Sequence, residues 1–151
     1  MMVSDFSNFS LQDRLDMNHV CIMGHSFGGA TTIATLAKDK RFKCGIAMDA
    51  WMSPLGNEKY NVSQPLLFVN TETFQWQKNM RKIKEFLNIE TAAERKMVTI
   101  KGTSHLTQSD LPSVAPPVTL RCLGVDSRSM DVHKIIDINR TIIATFLSKY
   151  F

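Results

Sequence analysis

HVCIMGHSFGGATTIATLAKD, residues 19–39, sets an unbroken apolar run, a glycine-rich turn and a helix-forming run in direct succession. The run HVCIM (19–23) lacks polar alternation, the pattern of a strand buried on both faces of a parallel sheet. Gly24-His25-Ser26-Phe27-Gly28 has the form G-x-S-x-G, and GATTIATLAKD (29–39) reads as a helix ending near Lys40. A serine at such a strand-to-helix turn is held in a sharp bend that lifts its hydroxyl out of the sheet. Glycines two residues to either side are expected, because neighbouring backbone leaves no room there for a side chain. As a bare pattern G-x-S-x-G is weak: with Gly and Ser near 7% each, chance gives it in roughly one chain of this length in twenty. The strand before it and the helix behind it make Ser26 a candidate nucleophile. The helix start also offers amide N–H groups to a developing oxyanion.

Outward from this turn, apolar runs and amphipathic segments alternate. CGIAM (44–48) ends at Asp49, LLFVN (66–70) follows Pro65, and KMVTIKG (96–102) is a fourth strand candidate. The segment 74–88 places Met80, Ile83 and Leu87 on one helical face. The segment 131–150 does the same with Val132, Ile135, Ile136, Ile142, Ile143, Phe146 and Tyr150. Non-alternating strands separated by helices predict an α/β architecture, a half-size parallel sheet covered on both faces. LPSVAPPVTLRCLGVDSRS (111–129) shows neither period and reads as an irregular loop.

The 151 residues, 44% hydrophobic and 21% charged, describe one globular domain and exclude a disordered chain. The net charge of +4 is scattered. Its densest patch, Lys78, Arg81, Lys82 and Lys84, reads as a solvated helix face, and no aromatic-interleaved basic stripe points to nucleic acid. No apolar run approaches the length of about 20 residues that spans a bilayer. The first residues carry no basic segment followed by an apolar one, so no signal peptide is visible and the default expectation is a cytoplasmic chain. Cys21, Cys44 and Cys122 cannot all pair internally, and Cys21 and Cys44 lie in strand-like runs where buried free thiols are usual. No metal-ligand spacing is present, so no metal is expected. Asn8, Asn61 and Asn139 begin Asn-x-Ser/Thr sequons, relevant only to a secreted protein.

A nucleophilic serine needs a base, and the base needs an orienting carboxylate. On the sheet implied here the chain order is Ser, acid, His. His19 and His25 precede or adjoin Ser26, and His133 falls within the terminal helix. His105, in KGTSHL, stands just past the carboxyl end of the last strand candidate, where parallel sheets present reactive groups. For the acid, Asp49 and Glu72 each end a strand, and spacing leaves both open; Asp110 lies too near His105.

The segments GHSFGGAT, RFKCGIAMDAWMSPLG, PLLFVNTETFQW and ERKMVTIKGTSH resemble the platelet-activating-factor acetylhydrolases, calcium-independent phospholipase A2 enzymes of the α/β-hydrolase fold. The resemblance is ordered from about residue 18 to 108 and resumes over 131–150, and DAWMxPL is its most specific part. It implies a triad of Ser26, Asp49 and His105, deciding the acid for Asp49 and leaving Glu72 a structural or pocket-edge residue. It implies the Phe27 N–H as one oxyanion donor, with a second from an upstream loop. The implied reaction is hydrolysis of the sn-2 acetyl or short oxidised acyl group of platelet-activating factor and related phospholipids, without metal or cofactor. The family includes secreted and intracellular members. The stretch 111–129 departs from the family pattern; its Leu111, Val114, Val118, Leu120 and Leu123 read first as part of a packed or poorly ordered loop, with a lipid-facing patch as the alternative.

Only 25 residues precede Ser26, too few for the strands a full α/β-hydrolase sheet places before its nucleophile. The expectation is therefore the C-terminal part of a single α/β-hydrolase domain, with its upstream half absent. HVCIM would then be an open apolar edge, able to self-associate or bind a partner. Two alternatives follow: a catalytically impaired chain acting as a regulatory partner, and a general short-chain esterase.

Overall fold

The computed structural model describes residues 14–123 and 131–151. The apolar runs form four parallel strands in sequential order: β1 (Val20–His25), β2 (Phe42–Met48), β3 (Leu66–Thr71) and β4 (Arg95–Ile100). Register pairs Cys21 with Cys44, Met48 with Val69 and Thr71 with Ile100. Every residue of β3 is buried, as are the last five of β2, which is why these two runs carry no polar alternation. β1 is only partly buried, and among the described residues β2 is its sole neighbour.

Helices cover both faces. α1 (Phe27–Lys38) and α2 (Gln77–Leu87) lie on one, where Ile33, Leu36, Ile83 and Phe86 pack with Ala47, Leu66 and Phe68. Met80 and Leu87 flank this cluster, in line with the expected helical face. On the other face Phe146, Ile142 and Ile143 of α5 (Val132–Leu147) meet Ile46, Leu67, Val69 and Ile100. Each fully buried large aliphatic or aromatic side chain contributes about 1.5–3 kcal/mol. Phe68, Leu66, Ile46 and Ile33 are therefore the stabilising centre of the two layers. Lys78, Arg81 and Lys84 are exposed on the outer side of α2, as a solvated face requires. No helix among the described residues is long and apolar enough to cross a membrane.

The stretch expected to be irregular contains two short helices, α3 (Leu111–Val114) and α4 (Pro117–Cys122). Each has a proline at its first or second position, where the fixed φ favours a helix start and the missing N–H costs nothing. With four and six residues they are too short to display a helical period. Residues 124–130 of that stretch lie outside the described residues. Of its apolar residues, Val114, Val118 and Leu123 are exposed, whereas Leu120 is 2% exposed and belongs to the packing. Cys21 is half-buried, Cys44 buried and Cys122 exposed, all three as free thiols. Asn61 is exposed and Asn139 is buried within α5; Asn8 is outside the described residues.

Candidate active site

β1 passes into α1 through a single residue, Ser26, whose φ of 58° and ψ of −117° lie in a region serine rarely adopts. Such backbone costs on the order of 1–3 kcal/mol and persists only where its surroundings dictate it. Here the Ser26 N–H donates to the Met48 carbonyl at 2.9 Å. The Ser26 carbonyl accepts from Trp51 N–H at 2.9 Å and Gly29 N–H at 3.0 Å. A side chain at Gly24 would run into the Gly28 carbonyl, and one at Gly29 would lie 2.7 Å from the Ala50 Cβ. Gly28, by contrast, has open space at its Cβ direction. The expected pair of flanking glycines is thus corrected: close packing demands Gly24 and Gly29, because the start of α1 lies against Ala50, just past the end of β2.

Asp49 follows β2 directly, with φ of 42°. Its side chain is fully buried, and Oδ2 lies 3.1 Å from Nδ1 of His105. His105 opens a short 3-10 turn, His105–Gln108, after β4, and its Nε2 lies 2.9 Å from the Ser26 Oγ. An aspartate oxygen only accepts, so the His105 Nδ1 carries the proton and Nε2 is free to accept from the serine hydroxyl. Phe27 supplies the first amide of α1, one of the N–H groups a helix cannot satisfy internally. The structure brings Ser26, His105 and Asp49 into one hydrogen-bonded line with Phe27 adjacent.

The other candidates sit elsewhere. Glu72 accepts from the Gly102 N–H at 2.8 Å, bracing the turn that carries His105 rather than contacting its ring. Asp110 precedes α3, His19 pairs with Asp16 at 2.6 Å, and His133 is exposed near the start of α5. Sequence reasoning missed Thr71, which donates its N–H at 2.6 Å and its hydroxyl at 2.5 Å to the Asp49 carboxylate. It stands one residue beyond the LLFVN run, and only the β2–β3 pairing brings it to Asp49.

The His105 imidazole is flanked by rings. Phe74 stacks on it with centroids 3.7 Å apart and planes 18° apart, and His25 lies at 4.4 Å and 31°. Two rings that close cannot share one face, so they occupy opposite faces. His25, Asp49 and His105 offer possible metal-ligating atoms within 4.8 Å of one another. Stacked imidazoles, however, aim their lone pairs side by side rather than at one point, and both His105 nitrogens are engaged by Ser26 and Asp49. The arrangement suits proton transfer rather than a bound ion. Exposed Phe27, Trp51 and Trp76 form an apolar rim beside the serine and the stacked rings.

A parallel sheet whose strained serine turn joins β1 to α1, with an aspartate and a histidine at the carboxyl ends of later strands, is an α/β-hydrolase fold. The orthorhombic crystal form of the Pyrococcus horikoshii acylaminoacyl peptidase shares it, with a TM-score of 0.50 and 19% identity over 83% of this chain and 27% of that one. The family model described as platelet-activating factor acetylhydrolase, isoform II, matches residues 1–151, and the chain belongs to that family. Platelet-activating factor acetylhydrolase of Gallus gallus is 42% identical over 97% of this chain and 35% of its own length. That of Bos taurus is 50% identical over 67% of this chain and 22% of its own. A putative phospholipase A2 of Schizosaccharomyces pombe is 28% identical over 68% of this chain and 31% of its own. The chain thus spans about a third or less of the length of these relatives.

Proposed function

We propose that the chain carries the catalytic machinery of a serine esterase that removes the sn-2 acetyl or short oxidised acyl group from platelet-activating factor and related phospholipids. The observation that carries this reading is the unbroken line from Ser26 Oγ through His105 to Asp49, at 2.9 and 3.1 Å. His105 Nε2 takes the hydroxyl proton as Oγ attacks the ester carbonyl, and Asp49 holds the imidazolium that forms. The Phe27 N–H meets the oxyanion. The tetrahedral species collapses, the glycerol oxygen leaves with the proton from His105, and the acyl group stays on Ser26. Water, deprotonated by His105, then releases the acid and restores the serine. Exposed Val114 on α3, Val118 on α4 and Leu123 just past α4 serve as the contact with the lipid surface.

Hydrolysis of p-nitrophenyl acetate and of acetyl- and long-chain phosphatidylcholines, each with Ser26→Ala as control, tests the reading. Loss of turnover in the variant and preference for the acetyl substrate are expected. Equal rates for the two proteins would remove it, and indifference to acyl length would leave a general short-chain esterase. A second reading, a chain that pairs with another polypeptide and regulates it, is favoured by the outer side of β1, which has no neighbouring strand among the described residues. Light scattering of the purified chain, which reads a dimer, checks it.

A further inference from the structure

His25 lies against the relay, yet no step of the proposed reaction uses it. Its ring covers one face of His105 at 4.4 Å while Phe74 stacks on the other at 3.7 Å. Its Nε2 is buried and, among the described residues, has no hydrogen-bond partner. Burying an unpaired polar nitrogen costs free energy that an aliphatic side chain of similar size would not. Its presence therefore calls for something a mere filler would not supply.

We propose that His25 is a positioning residue for His105, clamping the imidazole against Phe74 so that Nε2 meets Ser26 and Nδ1 meets Asp49 at the same time. The proposal rests on the reading of His105 as the general base. A terminal imidazole torsion is broad and roughly two-fold, so two hydrogen bonds along the ring's edge leave it free to tilt. A ring on each face removes that freedom. Burial, and then the neighbouring His105, hold the His25 imidazole below its usual range, which favours the uncharged ring. An uncharged ring presents a π face to the imidazolium that forms on His105, whereas a second cation would oppose it. The elbow sequence fixes the placement: His25 is the last residue of β1, directly before the strained Ser26.

Two readouts test this on the full chain. One is the rate at which a fluorophosphonate labels Ser26, followed by intact mass; Oγ displaces fluoride and the proton passes to His105. The other is the downfield proton resonance of the His105 Nδ1–H bonded to Asp49. His25→Ala and His25→Leu are expected to slow labelling about tenfold and to shift or broaden the resonance, whereas His25→Phe stays within about threefold of the wild type. Leu and Phe both fill the volume, so their comparison stands even where the Ala variant unfolds. Wild-type labelling and an unmoved resonance in His25→Leu overturn the proposal, as does a His25→Phe as slow as His25→Leu. A wild-type chain that takes no label, while the resonance still moves in His25→Leu and not in His25→Phe, fails the nucleophile reading and leaves the clamp standing.

Discussion

Asp49 receives both hydrogen-bond donors of one residue, Thr71, whose N–H binds Oδ1 and whose hydroxyl binds Oδ2. Oδ2 also faces His105, so the carboxylate is fixed in plane before it orients the imidazole. Hydrogen bonds to charged groups contribute about 1.5–3 kcal/mol, roughly a 10- to 100-fold effect when one is lost. Thr71→Val is therefore expected to lower kcat by about tenfold with KM little changed, and Thr71→Ser to restore it. Asp49→Asn, which favours the wrong tautomer, should cost on the order of 10⁴ in kcat. Steady-state kinetics on a soluble ester reads all three, and a Thr71→Val at the wild-type rate would show that the hydroxyl is dispensable.

The elbow glycines divide sharply. Gly28→Ala meets open space and should keep fold and activity, whereas Gly24→Ala drives a methyl into the Gly28 carbonyl and Gly29→Ala into Ala50. Overpacking of this kind costs typically 1–3 kcal/mol. Thermal melts and ester turnover of the three variants should therefore separate Gly28 from the other two.

Glu94 ties the start of β4 to the end of the chain through Lys96 at 2.6 Å, the Tyr150 hydroxyl at 2.6 Å and Lys149 at 2.9 Å. These partners, Lys96 first, hold its carboxyl at about 2, below the ordinary 4.5. A depressed folded pKa stabilises the fold above the unfolded value and loses that contribution as pH falls from 4.5 towards 2. Melting temperatures of wild type and Glu94→Gln across this window should converge as the pH drops. Parallel curves would assign the acid sensitivity to other carboxylates.

The strands and long helices were legible because burial on both faces writes itself as unbroken apolar runs, as at LLFVN and CGIAM. Ser26 and His105 were legible because each stands at a strand end with its turn chemistry beside it. Spacing alone left Asp49 and Glu72 level, since both end strands; the family resemblance separated them. The geometry shows why spacing could not: Glu72 reaches the backbone of Gly102, two strands' ends away from the serine. Thr71 and His25 were invisible in their roles because neither contact is local in sequence. α3 and α4 escaped because prolines mask helices this short.

The surface of α4 offers a paired test. Val118 is 70% exposed and Leu120 is 2% exposed, two residues apart on one short helix. Val118→Asp should weaken binding to phosphatidylcholine vesicles while leaving hydrolysis of a soluble ester unchanged. Leu120→Ala should instead lower stability by about 2–5 kcal/mol. Co-sedimentation and denaturant melts distinguish the two, and undiminished vesicle binding by Val118→Asp would exclude α4 from the lipid contact.

Four adjacent strands each deliver one member of the site: Ser26 after β1, Asp49 after β2, Thr71 closing β3 and His105 beyond β4. All therefore gather at one rim of the sheet. The opposite rim, where the exposed residues 88–92 lead into β4, lies a six-residue strand away, about 20 Å at roughly 3.3 Å per residue. A fluorophore or surface tether attached at that rim would hold the molecule by its inert end and leave the reactive end facing the medium.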